Sequence, residues 1–358
     1  MSKVKLGDVA IEHKETCKGS KDGYPIVGLE HLVSEEVTLT AWDEGSDNTF
    51  TKMFRKGNVL FGRRRAYLKK AAVAPFDGIC SGDITVIEAI PDRILPELLP
   101  FIIQNDELFD FAVGKSAGSL SPRVKWEHLK NYEFELPDMD KQRELAELLW
   151  AMDATKKSYQ KLIAATDELV KSQFMELFGN MGKDSKGFPM MPVADVCEEL
   201  FAGGDKPTDN APEKNDEYPY PVYSNGEGPN GLLCFSRDYR VNKEAITISA
   251  RGAIGYSAIR EPFFTPVVRL LTVVPKENMN IVFLKYYIDA SNLTGTGSSQ
   301  GQLTLPEFKK LVVPIPPMDL QEQFAAFVRQ SDKSKFELEQ ALSELAATYK
   351  RIIAENLG

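Results

Sequence analysis

Leu136 to Gly179, LPDMDKQRELAELLWAMDATKKSYQKLIAATDELVKSQFMELFG, and Ile315 to Gly358, IPPMDLQEQFAAFVRQSDKSKFELEQALSELAATYKRIIAENLG, align without a gap. They share Pro137/Pro316, Met139/Met318, Asp140/Asp319, Gln142/Gln321, Asp153/Asp332 and Lys156/Lys335. Both close on glycine, the residue that best ends a helix. A self-match at a fixed offset is the mark of internal duplication, and the offset here is half the chain.

Each copy has the pattern of one long helix. Proline and an aspartate (Asp140, Asp319) stand at the start, where a cap and a negative first turn belong, and no Pro or Gly follows until the final glycine. In the first copy Leu145, Leu148, Met152, Thr155, Tyr159, Leu162, Thr166 and Leu169 step by three and four. In the second, Phe324, Phe327, Ser331, Ser334, Leu338, Ala341, Leu345 and Thr348 do the same. That ~3.5-residue period predicts a coiled-coil seam diluted by small and polar residues. About 40 residues at ~1.5 Å each make a rod of roughly 60 Å. If the rods pack together, the intervening segment forces the second to run antiparallel to the first. The expected fold is α+β: two globular α/β domains (1–135 and 180–314) separated by two long antiparallel coiled-coil helices (136–179 and 315–358), with a pseudo-two-fold internal repeat.

The 358 residues suffice for two or three domains with real cores. No apolar run approaches the ~18 residues of a membrane span, and MSKVKLGDVA lacks a signal-peptide apolar region. Cys17, Cys80, Cys197 and Cys234 are scattered singly, which suggests neither disulfides nor zinc and points to a reduced, cytoplasmic protein. A net charge of −9 disfavours generic nucleic-acid binding, since unspecific affinity comes from phosphate neutralisation. It leaves room for a reader whose basic residues are local.

The two globular segments repeat one order of elements. In the first, strands are expected at Asn58–Gly62, Ala66–Ala74 and Asp83–Ala89, then a helix over Ile94–Val113, the loop Gly114–Arg123, a short helical piece and a strand. In the second, strands are expected at Ala245–Ala250, Gly255–Ile259 and Arg269–Val274, then a helix over Met279–Ser291, the loop Gly295–Thr304, a short helix and a strand. A polar loop, Asp205–Tyr218, belongs to the second segment alone.

Charge gives the strongest local signal. Lys52 to Lys70, KMFRKGNVLFGRRRAYLKK, carries eight basic residues, no acid and interleaved aromatics, the composition of a DNA-facing surface. Arg55, Lys56, Arg63, Arg64, Arg65, Tyr67 and Lys69 are the candidates there. Arginine suits paired hydrogen bonds to guanine, whereas lysine more often grips phosphate. The second segment has a thinner counterpart in Arg237, Arg240, Arg251 and Arg260 with Tyr239 and Tyr256, and Ser224 and Asn225 could bond base edges. The polar loops offer Lys115, Ser119 and Arg123 in the first segment and Ser298, Ser299 and Gln300 in the second. They could contact phosphate or merely turn the chain.

Enzymatic constellations are missing. Gly114-Lys115-Ser116 is no P-loop, because Phe109 stands where that pattern needs glycine and a helix precedes it. His13, His31 and His128 lie apart, without metal-ligand spacing or a nucleophile elbow. No adenine-methyltransferase tetrapeptide occurs; Ile315-Pro316-Pro317-Met318 is the nearest approach and lacks the amide or acid and the aromatic. A chain that catalyses nothing alone is expected.

The chain resembles the specificity (S) subunits of type I restriction–modification systems. The Leu-Pro…Asp-Lys-Gln-Arg and Ile-Pro-Pro-Met-Asp-Leu-Gln-Glu-Gln starts of the two rods, the Phe54-Arg-Lys-Gly-Asn-Val-Leu-Phe61 stretch and the two Gly-rich loops carry the resemblance, which spans essentially the whole chain. It implies two target-recognition domains, each reading one half of a bipartite, asymmetric site on double-stranded DNA. The helices would set the half-site spacing and dock two methyltransferase (M) subunits, to which restriction (R) subunits add. S-adenosylmethionine, ATP and magnesium would belong to those partners, with no cofactor or metal in this chain. The competing expectation is a coiled-coil interaction scaffold without a DNA role, which leaves the basic island unexplained.

Overall fold

The computed structural model describes residues 2–45, 48–179, 186–226, 231–291, 293 and 301–358. The chain divides into two compact units, 1–161 with 338–358 and 162–337, so each long helix contributes to both.

The first unit contains β1 (Ser2–Lys5), α1 (Leu6–Val9), β2 (Ala10–Glu12), β3 (Ile26–Val27), β4 (Lys52–Phe54), β5 (Val59–Gly62), β6 (Ala71–Val73), β7 (Gly78–Cys80) and β8 (Ile84–Ala89). After these come α2 (Leu99–Ile103), α3 (Asp106–Gly114), α4 (Trp126–Leu129), β9 (Glu133–Leu136) and the start of α5 (Met139–Phe178). β1 pairs with β9, a four-stranded sheet runs β2-β8-β5-β6, and a small sheet runs β3-β7-β4. Alternation along the strands splits the four-stranded sheet between two cores. Val59, Phe61 and Ile87 join the helical side, with Phe101, Leu145 and Leu149, while Leu60, Ala72 and Val86 join Phe54 and Cys80 beneath the small sheet. Burial on both faces explains why β5 reads as a continuous apolar run.

The second unit contains β10 (Met190–Pro192), β11 (Cys197–Ala202), β12 (Tyr220–Tyr223), β13 (Leu232–Ser236), β14 (Ala245–Ile248), β15 (Ser257–Arg260), β16 (Thr265–Pro266) and β17 (Leu271–Pro275). Then come α6 (Ile281–Ala290), α7 (Leu305–Phe308), β18 (Val312–Pro314) and the start of α8 (Met318–Leu357). Its main sheet, β11-β17-β14-β15, repeats the order of the first. The small sheet differs. A parallel pair is kept, β3 with β7 and β12 with β16, but the antiparallel third strand lies beside β7 in one unit and beside β12 in the other.

Two expected elements come out shorter. The Ala66–Ala74 strand is β6 alone, because Arg65 (φ 54°) and Lys69 (φ 50°) bend Ala66–Leu68 into a 3-10 turn. The Ile94–Val113 helix breaks in two. Asn105 caps α3 by accepting from Glu107 N at 3.1 Å, and its amide donates to Leu357 O at 3.4 Å, so α2 stops just before it.

Both long helices form over the expected span. The cap of α5 is Asp138, whose carboxylate accepts from Lys141 N at 3.0 Å; Asp140 instead pairs with Arg143. In the first unit Leu145, Leu149 and Met152 of α5 are buried, as are Ile353 and Leu357 of α8. In the second, Val170, Phe174 and Phe178 share one core with Phe324 and Val328. The seam expected from the sequence is therefore corrected by one residue in α5. Leu145, Met152 and Tyr159 lie on the covered face, but their partners are Leu149, Lys156, Ile163 and Val170, while Leu148 (45 %), Leu162 (51 %) and Leu169 (54 %) are exposed. Thr155 is half-buried beside Lys156. In α8, Phe324, Phe327, Leu338 and Leu345 are buried or half-buried as expected, whereas Ser334 is exposed and Lys335 takes its place. A helix that also packs on a globular core widens its covered stripe beyond a strict heptad seam.

Gln142 and Gln321, equivalent in the repeat, are 2 % and 0 % exposed. Each anchors its helix to the domain before it. Gln142 Oε1 accepts from Leu95 N at 2.8 Å and its amide donates to Pro137 O at 2.9 Å. Gln321 Oε1 accepts from Asn280 N at 2.8 Å and its amide donates to Pro316 O at 2.8 Å. Replacing either with Leu strands a buried N–H and a buried C=O, so a loss of about 1–3 kcal/mol is expected for the unit concerned. Chemical denaturation checks this, and a cost below ~0.5 kcal/mol refutes the anchoring role.

Candidate nucleic-acid interface

One edge of the first unit gathers the β5–β6 turn, the β7–β8 turn and the loop before α4. Arg63, directly after β5, has its N–H on Asp83 O and its C=O on Val124 N, both at 3.0 Å. Arg65 N donates to Pro122 O at 2.8 Å. Ala117 and Arg123 exchange backbone hydrogen bonds, closing the loop around Gly118 (φ 114°). Sequence distance is thus cancelled by the main chain, and Arg63, Arg64, Arg65 and Arg123 become neighbours.

Asp83 sits among them. Arg123 reaches it through Nε at 2.7 Å and Nη2 at 3.3 Å, and Arg64 Nη1 lies at 3.4 Å while its Nη2 donates to Ser121 Oγ at 3.1 Å. The Arg123 hydrogen bond holds the Asp83 carboxyl below its ordinary range and raises Arg123 in turn. Sequence inspection missed Asp83, since it lies outside the acid-free run and its relation to Arg123 is purely tertiary.

The same holds for most of the island. Arg55 is paired with Glu15 and with Asp77 (2.8 Å), which raises Arg55 and, with the Lys56 N–H on Asp77, lowers both acids. Lys69 is bonded to Asp106 at 2.5 Å, Lys70 to Leu29 O at 2.8 Å and Lys52 to Ile84 O at 2.7 Å. Of the eight basic side chains, three have no hydrogen bond or ion pair to a described residue: Lys56, Arg63 and Arg65. Arg55 and Lys69 are thus each engaged by acids from other parts of the chain. Tyr67 and Ser119 are exposed, and Lys115 lies over the Phe111 ring at 5.7 Å. Next to Arg63 opens a cleft of about 740 Å³ lined by Thr16, Thr49, Thr51, Lys52, Ser81, Asp83 and Arg123.

The second unit presents a topologically equivalent edge. Leu303 N bonds Ala250 O at 3.0 Å, as Val124 N bonds Arg63 O, which makes Arg251 the counterpart of Arg64; its Nη2 donates to Gln302 Oε1 at 2.9 Å. Asn225 is a bracket: its carbonyl accepts from Ala250 N at 2.6 Å and its amide donates to Val268 O at 2.7 Å. Ser224 hydrogen-bonds locally to Asn225 O at 3.5 Å, and Tyr256 is half-buried in the closed 249–256 turn. The basic counterparts are mostly spent. Arg237 pairs with Asp209 (2.7 Å) and Glu217, both from the loop particular to this unit. Arg240 lies over Phe201, and Arg260 is buried against Tyr223 and Thr247. Ser298, Ser299 and Gln300 fall outside the described residues.

Glu30, His31 and Asp43 form a group within metal-ligand reach among the described residues. His31 Nδ1 accepts the Gly28 N–H at 3.0 Å, so the neutral ring carries its proton on Nε2, the nitrogen facing Asp43. That tautomer has no lone pair left for a cation. No helix among the described residues is long and apolar enough to cross a membrane.

The depressed carboxyls Glu15, Asp77 and Asp83 contribute stability that is complete above the unfolded carboxylate pKa of ~4 and is lost as pH falls through their lower folded values. The unfolding midpoint of the first unit should therefore drop below about pH 4, and Asp83→Asn should make that drop shallower. Thermal melts against pH test this, and an unchanged acid limb in the variant refutes the clamp.

Type I restriction modification DNA specificity domains match residues 1–165 and again 185–346. A Mycoplasma pneumoniae protein named as a type I specificity subunit is 31% identical over 212 residues, 57% of this chain and 56% of that protein. A second from the same organism is 36% identical over 136 residues, 38% of this chain and 41% of that protein. The chain thus spans about half the length of these relatives. A solved structure described under complex assembly and conformational transition of the type I R-M system superposes with a TM-score of 0.63 at 20% identity, covering 99% of this chain and 97% of that one. The S subunit from M. genitalium gives 0.60 at 14%, covering 98% and 94%. Both likenesses concern the fold. With both halves of the duplicated chain matched, the protein belongs to the type I restriction modification DNA specificity domain family.

Proposed function

We propose that the chain is the DNA-recognition subunit of a type I restriction–modification complex. Each globular domain reads one half of a split site, and the helices set the gap and dock methyltransferase subunits. The carrying observation is the pair of equivalent edges: the turn after β5 and the turn after β14 are each pinned to the residue before the N-cap of a short helix (Val124, Leu303), and each places an arginine (Arg64, Arg251) there. Family membership supports the same reading. A 40-residue helix is ~60 Å long, which exceeds one DNA turn of ~34–36 Å and is long enough to serve as a ruler between successive major grooves.

On this reading the chain is non-catalytic. S-adenosylmethionine, ATP and magnesium sit on methyltransferase and restriction subunits, and the complex works in the cytoplasm, where its DNA is. In the second unit the exposed Leu162 and Leu169 stand a heptad apart on one face of α5, and an apolar pair of that kind suits a partner better than water.

Expressing the chain with a type I methyltransferase subunit and mapping methylated adenines should give a split motif with a fixed gap. Absence of such a motif from a complex that demonstrably assembles overturns the proposal. Leu162→Asp with Leu169→Asp should cut co-purification of the methyltransferase at least tenfold while the melting profile of the chain stays put. Normal stoichiometry removes that face from the docking surface.

A further inference from the structure

Arg63 differs from the other two uncommitted cations of the island in where it stands. Lys56 and Arg65 are exposed, whereas Arg63 is half-buried and lines the cleft beside Thr16, Thr51 and Ser81. Its Nε, like that of Arg64, is shielded from solvent and has no hydrogen-bond partner among the described residues, but Arg64 spends its terminal nitrogens on Asp83 and Ser121 and Arg63 does not. Such a donor is held at a cost in the free protein and asks for an acceptor. The main chain beneath it is fixed from both sides, by Asp83 O and Val124 N. A fixed main chain carrying a guanidinium with no partner among the described residues is the arrangement of a preorganised contact.

Asp83 determines why this guanidinium and not its neighbours is available. Its two oxygens are occupied by Arg123 and Arg64, so the acid in the cleft wall makes no ion pair with Arg63. A phosphate needs no recess, and the exposed Arg65 and Lys56 are better placed for one. A base edge offers donors and acceptors side by side, and the hydroxyls of Thr16, Thr51 and Ser81 beside Arg63 can donate to it or accept from it. Guanine, with O6 and N7 as adjacent acceptors, is the base that matches a guanidinium fork.

We infer that Arg63 reads a guanine in the half-site bound by the first domain, with Asp83 as a positioning residue that keeps Arg64 and Arg123 out of competition. The inference rests on the DNA-recognition function proposed above.

The test uses the assembled complex with its methyltransferase and the split motif defined by the wild type. Binding is measured on the cognate duplex and on duplexes carrying 7-deazaguanine, which lacks N7, at one guanine at a time. Wild type should lose affinity at one guanine of one half-site. Arg63→Ala should bind cognate DNA about 10- to 100-fold more weakly and become indifferent to 7-deazaguanine at that guanine alone. Arg63→Lys keeps the charge but not the fork and should show the same indifference; it also serves if the alanine variant melts early. Uniform weakening on every duplex makes Arg63 a phosphate contact and overturns the inference, as does a wild-type response retained at every guanine, or a target with no guanine in either half. Failure of the parent proposal is distinct, because there the wild-type complex itself shows no split motif.

Discussion

A buried amide fixes how each long helix leaves its domain. Gln142 and Gln321 each bridge a main-chain N–H of the preceding domain and the proline carbonyl just before their own helix, without access to water. A glutamine is suited to this because one short group supplies both an acceptor and donors. Moving the helix by a fraction of an ångström would strand at least two buried polar groups, so the direction of departure has little freedom. If the helices measure a distance along DNA, that stiffness at the joint matters as much as the length of the rod.

Duplication kept the joint and the main sheet and let the rest drift. Leu60 and Val86, apolar on the inner face of the first domain, have Thr247 and Thr272 at their register positions in the second, where Arg260 packs over Tyr223 and bonds Thr247. The third strand of each small sheet changes side. These changes lie on the side of the sheet away from the long helices. The face that the helices cover is held by packing from several elements and tolerates little, while the far face answers only to its own small sheet.

What could be read from sequence follows the same division. The repeat, the two helices and the element order were legible, since they rest on periodicity and on prolines and glycines acting locally. The α5 seam slipped from Leu149 and Val170 to Leu148 and Leu169 because heptad counting assumes one partner, and α5 has a helix and a domain. The basic island was overestimated for a related reason. A run without acid looks free, yet Glu15, Asp77, Asp83 and Asp106 come from other parts of the chain to meet it. In the second domain the Asn225 amide, expected from sequence to face base edges, also brackets two main-chain groups, Ala250 N and Val268 O.

If the chain reads DNA as proposed, neutralisation of that kind has a consequence for an acidic protein that meets a polyanion. With net charge −9 and most island cations paired, little unspecific attraction remains, and on that reading the salt-dependent clamp on phosphate would come largely from partner subunits. A specificity subunit gains from that division. Unspecific affinity would hold it on the vast excess of wrong sites, whereas a few rigidly mounted, unpaired groups contribute only where the base edges fit. On the proposed function, ion pairs within the domain would serve discrimination twice: they fix the geometry of the edge, and they withhold charge that would otherwise bind any sequence.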